Sequence, residues 1–101
     1  MLQDSDGVQS NISLVLNYAP LGLVRALHAE FGTQRMLVDT GCVMLADNSE
    51  VDILLSIGGP SPGYYFIRAR VAGKHPDGVI LDFQKCDAAT TKALLPYITI
   101  H

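Results

Sequence analysis

The chain has 101 residues, of which 49% are apolar and 17% are charged, and its formal net charge is −3. This composition describes one globular domain that can bury a core without a disulfide or a metal, and it excludes a disordered chain. The seven basic residues form no cluster, no apolar run is long enough to span a bilayer, and the polar, acidic first residues are unlike a signal peptide. We therefore expect a cytoplasmic protein that binds no duplex nucleic acid and inserts into no membrane.

The first half of the chain predicts short strands separated by turns. Residues 1–11 are polar and acidic and are predicted to form a flexible leader, so the folded domain is expected to span residues 12–101. Glycine, proline and aspartate separate the apolar runs that follow, which is typical of turns between strands. The predicted strands lie at residues 12–17, 23–31, 35–38 and 42–45.

The next runs alternate apolar and polar residues with the two-residue period of half-buried strands. In residues 51–57 the apolar positions Val51, Ile53, Leu55 and Ile57 share one face. Residues 64–71 follow the same rule, with Tyr65, Ile67, Ala69 and Val71 on the inner face. The opposite face of that strand carries Tyr64, Phe66, Arg68 and Arg70. A turn ending in Asp-Gly then predicts a hairpin into a strand with Val79, Leu81 and Phe83 on one face.

The last segment changes from the period of a strand to the pattern of a helix. Asp87 is predicted to be the N-cap, because its carboxylate can accept hydrogen bonds from the free amides of a first turn. Good helix formers follow over residues 88–95, and Pro96 is predicted to end or kink the helix. Together these elements predict a mainly β fold, a small six-stranded antiparallel β-barrel with a C-terminal α-helix.

Residues 38–41 read Val-Asp-Thr-Gly, which resembles the catalytic loop of retroviral-type aspartic proteases. Such an enzyme needs two carboxylates that share a proton, so this chain would have to dimerise to supply the second. The loop at residues 58–63 stands where that family has its flap, but the family's second signature is missing. A homodimeric protease using Asp39 is therefore an alternative from a different class, and the expectation is that the chain is not an enzyme.

The order of the later elements resembles the PilZ domain, a six-stranded barrel with a C-terminal helix found in bacterial cyclic-di-GMP signalling. The residues that carry the resemblance are the Ala69-Arg70-Val71 strand, the glycine-initiated strand from Gly78 to Phe83, and the paired leucines Leu94 and Leu95. The resemblance covers roughly residues 23–98. It implies a binding or adaptor module in cyclic-di-GMP-linked regulation, which acts by protein–protein contact and carries no cofactor.

The residues from Asp39 to Met44 fall on the family's nucleotide motif, Asp/Asn-x-Ser-x-x-Gly. Asp39 matches the first position, whereas Gly41 replaces the serine and Met44 replaces the glycine. The substitutions remove a hydroxyl partner for the ligand and add bulk where the backbone has to come close. The family's arginine pair is also missing, because Arg25 is the only basic residue before position 30. The resemblance thus implies a divergent member with degraded motifs, and a weak cyclic-di-GMP receptor using Asp39 and Gly41 is the alternative within the same fold.

The outward stripe of Tyr64, Phe66, Arg68 and Arg70 is the candidate surface for a protein partner. Tyrosine and arginine are enriched at interfaces because they combine large contact areas with directional bonds. The competing interpretation is that Phe66 covers the helix or a barrel end and that the arginines are merely solvated. The three histidines match no metal-ligand spacing, so no metal site is expected, and Cys42 and Cys86 are expected to be free thiols.

Overall fold

The computed structural model describes residues 12–59 and 62–98, so the leader predicted at residues 1–11 lies outside the described residues. The described ranges contain seven strands, an α-helix and a 3-10 helix. The strands are β1 (Ile12–Tyr18), β2 (Gly22–Arg25), β3 (His28–Phe31), β4 (Arg35–Asp39), β5 (Glu50–Ile57), β6 (Gly63–His75) and β7 (Gly78–Lys85). They are followed by the α-helix α1 (Ala88–Leu94) and the 3-10 helix (Leu95–Tyr97).

The seven strands form one antiparallel sheet, curled into a half-barrel, in the order β2-β1-β5-β6-β7-β4-β3. The strands at the two ends of this order are consecutive in the chain. Between them, the N–H of Ala26 donates to the carbonyl of Leu14 in β1 at 3.2 Å, and the N–H of Leu27 donates to that of Asp39 in β4 at 2.8 Å. The predicted class, mainly antiparallel β with a C-terminal helix, is confirmed, but the predicted number of six strands is wrong.

Two of the predicted strands differ from the structure. The run at residues 23–31 is divided into β2 and β3, because the chain changes its partner from β1 to β4 at Ala26 and Leu27. The run at residues 42–45 is not a strand, because its backbone pairs with no described strand. The N–H of Val43 in the run donates to the carbonyl of Thr40 in a local turn at 3.2 Å, and a second turn follows the run, where the N–H of Ser49 donates to the carbonyl of Ala46 at 3.2 Å.

The core lies on the concave side of the sheet and follows the predicted alternation. Every predicted inward position of β5 is buried, and so are Ile67, Ala69 and Val71 of β6, while Tyr65 is half-buried. From β7, Val79 and Leu81 join this core, with Phe83 half-buried beside it. Because the inner positions hold the large aliphatic side chains, the outer positions of the same strands are free to form a second surface.

The helix begins where the sequence predicts. Asp87 is the N-cap, and its Oδ1 accepts a hydrogen bond from the N–H of Thr90 at 2.8 Å. That bond, together with the Thr90 side chain, lowers the pKa of Asp87 below its usual value. Thr90 and Leu94 are buried against the core, and Pro96 lies in the 3-10 helix that ends the segment. Neither helix in the described residues is long and apolar enough to cross a membrane.

Candidate protein-interaction surface

The outer face of β6 presents the four side chains that the alternation predicts. Tyr64 and Phe66 are 77% and 70% exposed, and Arg68 and Arg70 are also exposed. Phe66 therefore does not cover the helix or a barrel end, as the competing interpretation requires. An exposed pair of neighbouring aromatic side chains leaves a large apolar area in contact with water, which is unfavourable unless another surface covers it.

The register of the sheet extends the aromatic pair into a larger apolar patch. Leu54 of β5 lies opposite Phe66, and Val15 of β1 lies opposite Leu54. On β2, Leu23 points outward beside them and is 75% exposed. We call the patch formed by Val15, Leu23, Leu54, Tyr64 and Phe66 the apolar face. A contiguous exposed patch of this kind on a sheet is typical of an interaction site.

The two arginines of the predicted stripe are engaged in ion pairs across the strands. Arg68 lies opposite Asp52, with Nε 3.0 Å from Oδ1, and Arg70 lies opposite Glu50, with Nη2 3.6 Å from Oε2. The hydrogen bond to Asp52 is the main cause that raises the pKa of Arg68 above its usual value. The stripe therefore consists of two free aromatic side chains and two arginines whose charges are already balanced.

A shallow groove of about 790 Å³ runs along this surface. Apolar side chains of the apolar face, Val15, Leu23, Leu54 and Phe66, line most of it. Charged side chains, among them the Asp52–Arg68 pair, also line the groove. Protein-binding surfaces combine apolar side chains, which supply affinity, with polar ones, which supply orientation.

The predicted ligand residues Asp39 and Gly41 lie in a tight turn at the end of β4. Oδ1 of Asp39 accepts a hydrogen bond from the N–H of Gly41 at 2.8 Å, and Gly41 has a positive φ of 67°. Thr40 between them is buried, and its hydroxyl donates to the carbonyl of Val43 at 3.0 Å. One oxygen of the Asp39 carboxylate is thus used to close its own turn.

The structure separates the two predicted sites. Asp39 and Gly41 line a cavity of about 570 Å³ together with Lys74 and His75, whereas Phe66 and Arg68 line the groove on the outer face of β6. Met44, at the third position of the degraded motif, is 66% exposed. No residue lines both cavities, so the nucleotide motif and the apolar face would act independently.

Of the remaining reactive side chains, His28 and His75 line the same cavity as Asp39. Cys42 is exposed and Cys86 is half-buried, and both are free thiols. Within residues 12–59 and 62–98, no three His, Cys, Asp or Glu side chains come together in a group that could hold a metal ion. His28 and His75 each lie beside a carboxylate of their own strand or turn, at 3.8 Å from Glu30 and 3.9 Å from Asp77.

Sequence reasoning missed three residues of the apolar face, namely Val15, Leu23 and Leu54. Leu54 could have been recognised from the sequence, because it is an apolar residue on the outward face of residues 51–57, which otherwise carries Asp52 and Ser56. Val15 and Leu23 gave no such signal, because only the sheet register places Val15 opposite Leu54 and brings Leu23, which lies opposite Asn17, to the same groove.

No protein-family model matches the chain, and no curated protein sequence matches it either.

Proposed function

We propose that this chain is a PilZ-like binding module that works by protein–protein contact in bacterial cyclic-di-GMP-linked regulation. The observation that carries the proposal is the apolar face, where large side chains stay exposed beside the Arg68–Asp52 ion pair. A partner that covers this face removes the aromatic side chains from water, which is the main favourable term in protein association.

The connectivity supports the PilZ-like part of the proposal. The later strands β5, β6 and β7 follow one another as antiparallel neighbours, and α1 comes after β7. That is the order of elements from which the resemblance in the sequence arises.

The turn at the end of β4 supports a protein partner over a nucleotide ligand. Oδ1 of Asp39 already accepts the N–H of Gly41, and Gly41 offers no side-chain hydroxyl. The arginines of β6 are held by Asp52 and Glu50, so they are not free to grip a phosphate. A weak cyclic-di-GMP receptor remains the alternative, and the protease alternative would rely on the same Asp39.

Affinity capture from the native host tests the proposal. The immobilised wild-type chain is expected to retain a protein that Phe66→Lys and Leu23→Lys lose, because each charge lies on the apolar face. Met44→Lys is the matched control, since Met44 is similarly exposed but lies in the other cavity. Equal retention by all four proteins would contradict the proposal.

A calorimetric titration with cyclic-di-GMP separates the proposal from its alternatives. We expect no micromolar isotherm for the wild-type chain. A micromolar isotherm that disappears in Asp39→Ala would establish the receptor instead. Peptide cleavage that disappears in Asp39→Asn would establish the protease.

A further inference from the structure

Half of β6 lacks a neighbour on one side. β5 pairs with β6 from Gly63 to Arg70, whereas β7 pairs with it only from Arg68 to His75. Residues 63–67, which we call the free edge, therefore have a partner strand on one side only. Alternate backbone N–H and C=O groups of a strand point to each side, and no described residue supplies a backbone partner on the β7 side.

The groove reaches the free edge. Phe66 lines it next to Lys85, together with Ile67, which as a whole residue is only 1% exposed. The N–H and C=O of Val71 bond to Ser49 and Asn48 on the β5 side, so by alternation those of Tyr64 and Phe66 point to the open side. After Lys85 the chain leaves the sheet and enters α1, where Thr90 and Leu94 are buried.

The residues of the free edge do not themselves oppose pairing with another strand, although α1 contacts β6. Its sequence is Gly-Tyr-Tyr-Phe-Ile, with no charged residue and no proline. Exposed edges in natural proteins usually carry a charge or a proline that prevents such pairing. In this chain the two strands at the ends of the sheet order follow that rule, since β2 carries Arg25 and β3 carries His28 and Glu30.

The free edge is complementary to itself. If two copies align antiparallel about a twofold axis at Tyr65, Gly63 lies opposite Ile67 of the second copy and Tyr64 lies opposite Phe66. Every residue of the free edge then has a partner, and Pro62 and the end of β7 at Lys85 limit the pairing at its two ends. The pairing brings no like charges together, because the free edge is uncharged and the neighbouring Arg68 is paired with Asp52.

We propose that two copies of this chain form a dimer by antiparallel pairing of their free edges. The pairing supplies the missing backbone hydrogen bonds and places Tyr64 beside Phe66 of the second copy twice, and aromatic cross-strand pairs of this kind are favourable. Strand addition extends the sheet and leaves its outer face uncovered. The two apolar faces thus become one continuous surface, and the dimer itself does not depend on the proposed partner.

Sedimentation velocity of the purified chain at high micromolar concentration tests the dimer. The expected mass is about twice the 10.9 kDa of one chain. Phe66→Lys is expected to be monomeric, because a lysine on the edge opposes strand pairing. Met44→Lys, which changes a side chain of similar exposure elsewhere, is expected to remain a dimer.

Two further measurements identify the edge as the interface. Leu23→Lys is expected to remain a dimer, because Leu23 lies on the outer face of β2 and not at the edge of β6. Amide hydrogen exchange at residues 63–67 is expected to slow as the protein concentration rises. A monomeric wild-type chain, or a Leu23→Lys variant that dissociates, would overturn the proposed dimer. A monomeric wild-type chain would still be compatible with the proposed binding of a protein partner.

Discussion

Arg68 and Asp52 face each other across β6 and β5, with Nε of the arginine 3.0 Å from Oδ1 of the aspartate. The next outward pair along the same two strands is Phe66 and Leu54. A balanced charge pair therefore stands directly beside an exposed apolar pair. This juxtaposition divides the stripe predicted from the sequence into two arginines that are ion-paired within the chain and two aromatic side chains that stay exposed.

The Arg68–Asp52 pair is expected to stabilise the chain only at low ionic strength. Arg68→Gln should lower the thermal midpoint in dilute buffer, and the difference from wild type should vanish in 1 M salt, where the screening length is about 3 Å. Arg25→Gln is the control, because Arg25 forms no ion pair with another described residue. A deficit in Arg68→Gln that persists at high salt would show that packing of the side chain matters more than its charge.

Gly78 is expected to tolerate no side chain. A Cβ at this position would overlap the carbonyl oxygen of Val38 in β4, and the φ of Gly78 is 155°. We expect Gly78→Ala to lower the free energy of unfolding by about 1–3 kcal/mol, because a strand would have to move. Chemical denaturation of the variant and the wild type measures this difference in the free energy of unfolding.

The matched control is Gly73→Ala in β6 of the same hairpin, where an added Cβ meets no atom within 4 Å. We expect it to change the stability by no more than about 0.5 kcal/mol. Equal losses in the two variants would contradict the steric account of Gly78.

Asp39 is expected to act as a hydrogen-bond acceptor and not as a charge. Asp39→Asn keeps an oxygen for the N–H of Gly41, so its stability should be close to that of the wild type. Asp39→Ala removes the acceptor and should cost about 1 kcal/mol in denaturant unfolding. If the asparagine variant were as unstable as the alanine variant, the carboxylate charge would have a role beyond the turn.

The N-cap at Asp87 predicts a dependence of stability on pH. Since its pKa is lowered in the folded chain, the cap contributes stability above the pH where an unfolded aspartate titrates, and loses it as the pH falls through the folded pKa. Asp87→Ala should therefore be less stable than wild type at pH 7, and the difference should shrink once the pH falls below about 4.

Thermal unfolding followed by circular dichroism across this pH range measures the effect. Asp47→Ala is the control, because Asp47 is exposed and forms no side-chain hydrogen bond or ion pair within the described part of the chain. A constant difference between Asp87→Ala and wild type at all pH values would contradict the assignment of the cap.

The local patterns in the sequence were sufficient to predict the strands that have one buried face and one exposed face. The alternation in residues 51–57 and 64–71 identified the inner and outer positions of β5 and β6, because each buried residue there stands next to a polar or exposed one. The same rule placed Tyr64 and Phe66 on the outside. Asp87 was recognisable because a cap depends only on the next few residues.

Features that depend on distant residues were not predictable in this way. The apolar run at residues 42–45 has the composition of a strand, but the N–H of Val43 bonds within a local turn, and just after the run the N–H of Ala46 donates to the hydroxyl of Tyr18 at 3.1 Å. The break between β2 and β3 depends on the carbonyls of Leu14 and Asp39. Likewise, the apolar face requires the register that brings Val15 and Leu54 together.

Photo-crosslinking in the native host tests the central claim, that the apolar face binds a protein partner, most directly. Benzoylphenylalanine in place of Phe66 keeps an exposed aromatic side chain at the centre of this face, and the same group in place of Met44 is the control. The account predicts a covalent adduct with a different protein from position 66 and none from position 44. No adduct at position 66 other than with a second copy of the chain, or the same adducts from both positions, would contradict it.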